Sequence, residues 1–193
     1  MMDFNRIPAN LVQTLCPIMV RIGLLSDTHG YLNPKIFKYF SECDELWHAG
    51  DIGDVKTADQ LEEFKPLRAV YGNIDGGALR VRYPEDLFFE SEGLKVYMTH
   101  IGGYPPKYNA RTRKIIQSRK PDLFIDGHSH ILKIMRDENI PNLLHINPGA
   151  AGRQGFHKVS TIVRFSVHAA KISDLQVIEL GPRSLTKAMS SRE

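Results

Sequence analysis

Five stretches of this sequence place metal-binding side chains directly after short apolar runs. SDTHG carries Asp27 and His29, HAGDIGD carries Asp51, YGNIDGG carries Asn73, YMTH ends in His100, and FIDGHSH carries His128 and His130. These are oxygen and nitrogen donors, and a mixed set without thiolate favours manganese, iron, zinc, cobalt or nickel over calcium or magnesium. Seven donors exceed what one four- or six-coordinate site with an open position uses, so the count points to two divalent ions. A carboxylate bridging both would hold them about 3.5 to 4 Å apart, the spacing of two-metal hydrolytic sites. Taken singly, each residue is more often a helix cap or a hydrogen-bonded structural group, by roughly three to one. Capping and turns do not require imidazoles and carboxylates at five strand ends, and together the odds reverse.

The elements that must position these donors read as alternating strands and helices. MVRIGLLS, ELWHAG and RAVYG are short aliphatic runs suited to buried strands, and NPKIFKYFSE and VKTADQLEEFK between them carry helical caps or spacing. That is a βαβαβ start and hence a parallel sheet. The second half is richer in strands: DLFFES, LKVYMTH, LFIDG, ILKIMRD, LLHIN, TIVRFSV and KISDLQVIEL, interrupted by one helix over YNARTRKIIQSRK. The expected fold is α/β, a four-layer αββα sandwich of two mixed sheets flanked by helices. In open α/β sheets the carboxyl ends of strands share a crevice, so donors scattered over a hundred positions can converge there.

The chain has 193 residues, 42% of them hydrophobic and 24% charged, which suits one domain. We expect an N-terminal extension over 1–18 outside the core, a single domain over 19–183 and a flexible tail over 184–193. A net charge of +3 is far from the basic stripe of a nucleic-acid binder and leaves a small anionic ligand as open as a polymer. The chain has little of the basic and aromatic surface a nucleic-acid polymer would need, so no such partner is expected. Cys16 and Cys43 form neither a disulfide framework nor a CxxC pair, which points to a reducing compartment and a cytoplasmic protein. No apolar run reaches the ~20 residues of a membrane span. Gln13, Thr14 and Pro17 interrupt the faintly signal-like opening stretch, so export is not expected. A monomer and a homo-oligomer are both compatible with these numbers.

The order D-x-H, G-D, G-N, H, G-H-x-H resembles the calcineurin-like metallophosphoesterase superfamily over about residues 19–168. HAGDI, GNID and INPGA are most similar to its small bacterial and archaeal phosphodiesterase branch, to which the retromer's small scaffold subunit also belongs. The resemblance implies one ion on Asp27, His29, Asp51 and His130. It implies a second on Asp51, Asn73, His100 and His128, with Asp51 as the bridge. It further implies hydrolysis of a small phosphodiester by a hydroxide held between the ions, attacking phosphorus in line. Asn73 would ligate through oxygen and donate from nitrogen to a phosphate oxygen.

The sequence departs from that pattern in two places. Where many members read G-N-H-[DE], this chain has Gly72, Asn73, Ile74 and Asp75, so an imidazole acid for the leaving group is excluded there. Asp75, His48 or water would substitute, or the leaving group departs unprotonated; for Asp75 a turn or supporting carboxylate is the favoured role over that of a weak acid candidate. Where relatives often read H-G-H, Ile101 follows His100 and alters the pocket rim, with Tyr104, Lys107, Arg111 and Arg113 nearby. His48 is expected to orient a ligand from behind, Asn147 and Gly149 to close a turn over the site, and Arg153 to meet the phosphate. His145, His157 and His168 read as ordinary core or surface residues. The alternative function is a noncatalytic metal-binding scaffold of the same fold, against which the intact set of seven donors counts.

Overall fold

The computed structural model describes residues 19–156 and 158–183. The expected extension and tail, Cys16 and His157 lie outside them. In chain order the elements are β1 (Val20–Leu25), α1 (Lys35–Tyr39), β2 (Glu45–His48), α2 (Val55–Phe64), β3 (Leu67–Ala69), α3 (Gly77–Arg82), β4 (Asp86–Ser91), β5 (Leu94–Thr99), β6 (Gly103–Tyr104), β7 (Lys107–Tyr108), α4 (Ala110–Arg119), β8 (Leu123–Ile125), β9 (Lys133–Arg136), β10 (Leu144–Asn147), β11 (Val159–His168) and β12 (Lys171–Pro182).

Two five-stranded sheets result, ordered β12-β11-β1-β2-β3 and β4-β5-β8-β10-β9. Both are mixed: β1, β2 and β3 run parallel, as do β5, β8 and β10, while the remaining strands join antiparallel. The alternation of side chains along a strand divides each sheet between two cores. Ile22, Leu24, Trp47 and Phe165 of the first sheet meet Val96, Met98, Ile125 and Ile146 of the second in the shared interior. On the outer face of the first sheet, Leu25 and Leu46 pack with Ile36 and Phe40 of the α1 region and Leu61 of α2. On the outer face of the second, Tyr97 and Phe124 pack with Ile116 of α4. This is the expected αββα layering.

Helix starts follow local capping chemistry. Asp54 accepts the Thr57 amide ahead of α2 and Asn109 the Thr112 amide ahead of α4. The short helix α3 and the β6–β7 hairpin were not expected. Gly76 opens α3 without a side-chain cap, and six residues are too few to show helical periodicity. Cys43 is buried in the outer core of the first sheet, and burial pushes its thiol up to about 11, so it is an inert packing residue. No described helix is long and apolar enough to cross a membrane.

The register matters most for the site. Leu25 pairs with His48 and His48 with Ala69, so three parallel strands finish level. In the second sheet Met98, Ile125 and Ile146 are likewise level. Each sheet thus delivers three loops from one edge.

Gly23 is the point at which α1 approaches the first sheet. A Cβ there would lie 2.7 Å from the Phe40 ring and 2.8 Å from Leu46 Cδ2. Gly23→Ala should therefore cost about 1 to 3 kcal/mol by overpacking, read as a lower midpoint in urea unfolding. An unchanged midpoint would show that the layer yields.

Candidate metal centre

The two rows of loops are joined through their backbones. Asp27, His29 and Gly30 donate their amides to the carbonyls of Gly50, Asp51 and Ile52, which prolongs the β1–β2 ladder past the strand ends. Across the sheets, the amides of Ala151 and Gly152 reach the carbonyls of Ser26 and Asp27, and the His128 amide reaches Asp27 Oδ2 at 3.2 Å. Glycine makes these approaches possible. A Cβ on Gly72 would lie 2.0 Å from Asp51 Oδ1, and one on Gly127 would lie 2.1 Å from Ser26 Oγ.

All seven expected donors are brought together. Asp27, His29 and His130 offer ligand atoms within 4.8 Å of one another, and so do Asp51, His100 and His128. Asn73 Oδ1 lies 3.1 Å from His100 Nε2. The Asp51 carboxylate stands between the two groups. Its Oδ1 accepts the Ile74 amide at 3.0 Å, which leaves Oδ2 at 3.8 Å from His29 Nε2 and 3.2 Å from His100 Nε2.

The lone pairs of this cluster face one another. His100 Nδ1 must carry a proton, because it lies 2.8 Å from the Ala49 carbonyl, which can only accept. In the neutral ring, Nε2 then points a lone pair at oxygens of Asp51 and Asn73. Asp27 Oδ2 takes Ser26 Oγ–H at 2.6 Å, while Oδ1 is buried and receives no well-aligned hydrogen bond, although His130 Nε2 is 3.1 Å away. Converging acceptors with a buried carboxylate oxygen to spare fit cations and suit little else.

Left to themselves, the groups divide protons unequally. Burial lowers the His29 pKa, whereas the Asp27 carboxylate, 3.1 Å from His130 Nε2, raises that of His130, and the Nε2 atoms of the two rings are 3.3 Å apart. For His100, burial is the largest single effect and opposes protonation, but the Asp51 hydrogen bond and the charges of Asp27 and Asp51 outweigh it. For Asp51, burial favours the neutral form, but the hydrogen bond and charge of His100 and the Ile74 amide prevail and lower its pKa.

Backbone conformation marks the same residues. Asp27, His29, Asp51, His128 and His130 all have φ between +50° and +64°. This left-handed region costs a non-glycine residue about 1 to 2 kcal/mol, and such strain persists only where the surroundings over-determine it.

Other expected residues sit elsewhere. Asp75 is buried and its carboxylate is consumed by backbone amides: Gly53 on Oδ1, and Ile52 and Gly72 on Oδ2. Of the two roles considered for Asp75, these contacts suit the supporting carboxylate, tying the Asp51 and Asn73 loops together, rather than the proton donor. His48 is likewise behind the donors. Gly50 N–H donates to Nδ1, so the proton is on Nε2 and goes to Thr28 Oγ1, whose own proton goes to the Ile52 carbonyl. Arg153 donates to Tyr31 Oη and lies over that ring. Arg111 pairs with Glu85 and Asp86, and Arg113 with the Pro106 carbonyl.

Two supports had no sequence signal. Arg80 stacks on Tyr71 and donates to the carbonyls of Asp75, Asn73 and Gly72, holding the Asn73 turn from outside. Beneath the GHSH loop, His145 Nε2 lies 2.9 Å from Asp126 Oδ1, a carboxyl whose pKa burial raises. Asn147 Nδ2 sits within hydrogen-bond distance of Asp126 Oδ1, the Gly127 carbonyl and Ser129 Oγ.

The chain matches the model of the calcineurin-like phosphoesterase superfamily domain over residues 20–170. It is 30% identical over 135 residues to a probable metallophosphoesterase of Methanocaldococcus jannaschii, covering 67% of each chain. Among solved structures, a novel archaeal phosphodiesterase superposes with a TM-score of 0.65 at 22% identity, covering 83% of this chain and 99% of that one. Vps29 of Chaetomium thermophilum superposes with a TM-score of 0.67 at 15% identity, covering 83% and 96%.

Burial lowers the His48 pKa to about 4, against about 6.5 in an unfolded chain. The unfolded state thus takes a proton first as pH falls, and stability should drop between about pH 6.5 and 4 by up to about 3 kcal/mol. Urea unfolding in chelator should show this loss in the native chain and a shallower one in His48→Gln. Parallel pH profiles would show that His48 is not held neutral.

Proposed function

The chain belongs to the calcineurin-like phosphoesterase superfamily, and on that premise we propose that it is a two-metal-dependent phosphodiesterase acting on small phosphodiesters. The observation that carries this reading is Asp51, fixed through Oδ1 by Ile74 and leaving Oδ2 between two imidazole-bearing donor groups. One ion would take Asp27, His29, Asp51 and His130, and the other Asp51, Asn73, His100 and His128. Manganese, iron, zinc, cobalt and nickel all suit these donors. When bound, such ions polarise the phosphoryl group and acidify water for in-line attack.

The chain's own residues do the rest. Asn73 is exposed at the rim and has an amide nitrogen free to donate to a phosphoryl oxygen while its oxygen faces His100. Asp75, His48 and Arg80 hold the three loops that set this distance. No acid stands where relatives carry a histidine: Ile74 is there, exposed and aprotic. The leaving alkoxide must take its proton from water or depart as an anion, so turnover should fall steeply as the leaving group becomes more basic.

The test is hydrolysis of aryl phosphodiesters of graded leaving-group acidity with manganese added. Asn73→Ala and His128→Ala should each lower kcat/KM at least about 100-fold, whereas Arg153→Ala should stay within about threefold. Two ions per chain by elemental analysis with no turnover of any ester would overturn the enzyme reading and leave the scaffold.

A second expectation concerns the supporting shell. Asp75→Asn keeps the shape but presents an amide nitrogen to a backbone N–H, so metal affinity should fall about 10- to 100-fold with the fold retained. Unchanged affinity in a metal titration would remove Asp75 from the site.

A further inference from the structure

Two hollows flank the donor cluster, and they differ in chemistry. One, about 210 Å³, carries the charged Arg80, Arg111 and Glu85 beside Asn73 and His100, with Tyr71 and Ile101 at its wall. The other, about 430 Å³, lies against His128 and is lined chiefly by Ile101, Tyr104, Tyr108, Ile131 and Lys133. Ile101 borders both. It follows His100 directly, at the place where the sequence departs from its relatives. A phosphodiester held at the donors has two ester groups to accommodate, and these hollows offer them unlike surroundings.

The larger hollow is unusually apolar for a surface so close to a polar centre. Ile101 is 41% exposed, Tyr104 38% and Ile131 62%. Large apolar side chains exposed together beside a reactive centre mark a binding surface. Its size lies within the range of small-molecule sites, about 300 to 1,000 Å³. The aromatic wall is braced: Lys133 Nζ lies 3.3 Å from the centre of the Tyr104 ring, which ties the β6–β7 hairpin to β9. His145 also lines this hollow, and its Nδ1 is buried with no hydrogen-bond partner among the described residues.

An alkyl chain would use none of these features beyond the apolar area. An aromatic ring can stack or pack edge-on against Tyr104 and can meet the Lys133 cation with its face. We propose that the cavity beside His128 is a specificity pocket that takes one ester group of the substrate and selects a flat aromatic ring, as in an aryl or nucleoside ester. The inference rests on the phosphoesterase reading above. The charged hollow beside Asn73 then faces the second ester group.

The test needs no turnover. Calorimetric titration of the manganese-loaded full chain with phenylphosphonate, cyclohexylphosphonate and methylphosphonate separates the ring from the phosphoryl head. Phenylphosphonate should bind about tenfold tighter than methylphosphonate and more tightly than cyclohexylphosphonate. In Tyr104→Ala and Ile131→Ala that advantage should vanish while methylphosphonate affinity stays unchanged, which also shows that the variants are folded and loaded. Equal affinity for phenyl and methyl, cyclohexyl binding as well as phenyl, or an advantage that survives both substitutions overturns the pocket alone. Failure of all three to bind the loaded chain overturns the pocket and the phosphoesterase reading together.

Discussion

Asp27 and Asp51 are buried side by side at the ends of adjacent parallel strands, and among the described residues no lysine or arginine pairs with either. Removing two carboxylates from water costs several kcal/mol each unless charge and hydrogen bonds replace the lost hydration. Imidazoles and backbone amides supply part of that replacement. The rest of the centre can be understood as what is needed to hold this arrangement open for cations rather than let it collapse around a proton.

The supporting residues follow from that requirement. A carboxylate positioned to bridge cannot also rotate, so Ile74 fixes one of its oxygens and Asp75 fixes the loop that carries Ile74. An imidazole positioned to ligate must present a lone pair, so the Ala49 carbonyl claims the other nitrogen of His100. Each restraint comes from a different loop. The left-handed backbone at five donors is the strain that results when so many restraints are met at once.

The donors were legible in the sequence because each stands directly after an apolar run whose end is easy to read, and because few structural roles call for that combination of side chains. The layered fold was legible for a related reason: strand ends and caps such as Asp54 and Asn109 obey local rules. What sequence could not show was partnership across distance. Asp75 looked like a candidate acid because its type permits it; only the three amides around it reveal a tether. Arg80 and the Asp126–His145 pair carry no distinguishing spacing, since their partners are carbonyls and neighbours brought close by folding. The short α3 and the two-residue strands of the hairpin fall below the length at which periodicity means anything.

The join between the sheets also bears on how the site is assembled. His29 and His130 meet although 101 residues separate them, and the amide of His128 closes on Asp27 over an equal span. Long-range contacts of this kind form late, since loop-closure entropy must be overcome before they contribute. The loops after β1, β2 and β3 carry Asp27, His29, Asp51 and Asn73, but these four donors of the first sheet lack the imidazoles of His100, His128 and His130 that the second sheet brings. Both candidate donor groups are therefore complete only once the second sheet has docked, so a cation held by either would report that the whole sandwich has closed.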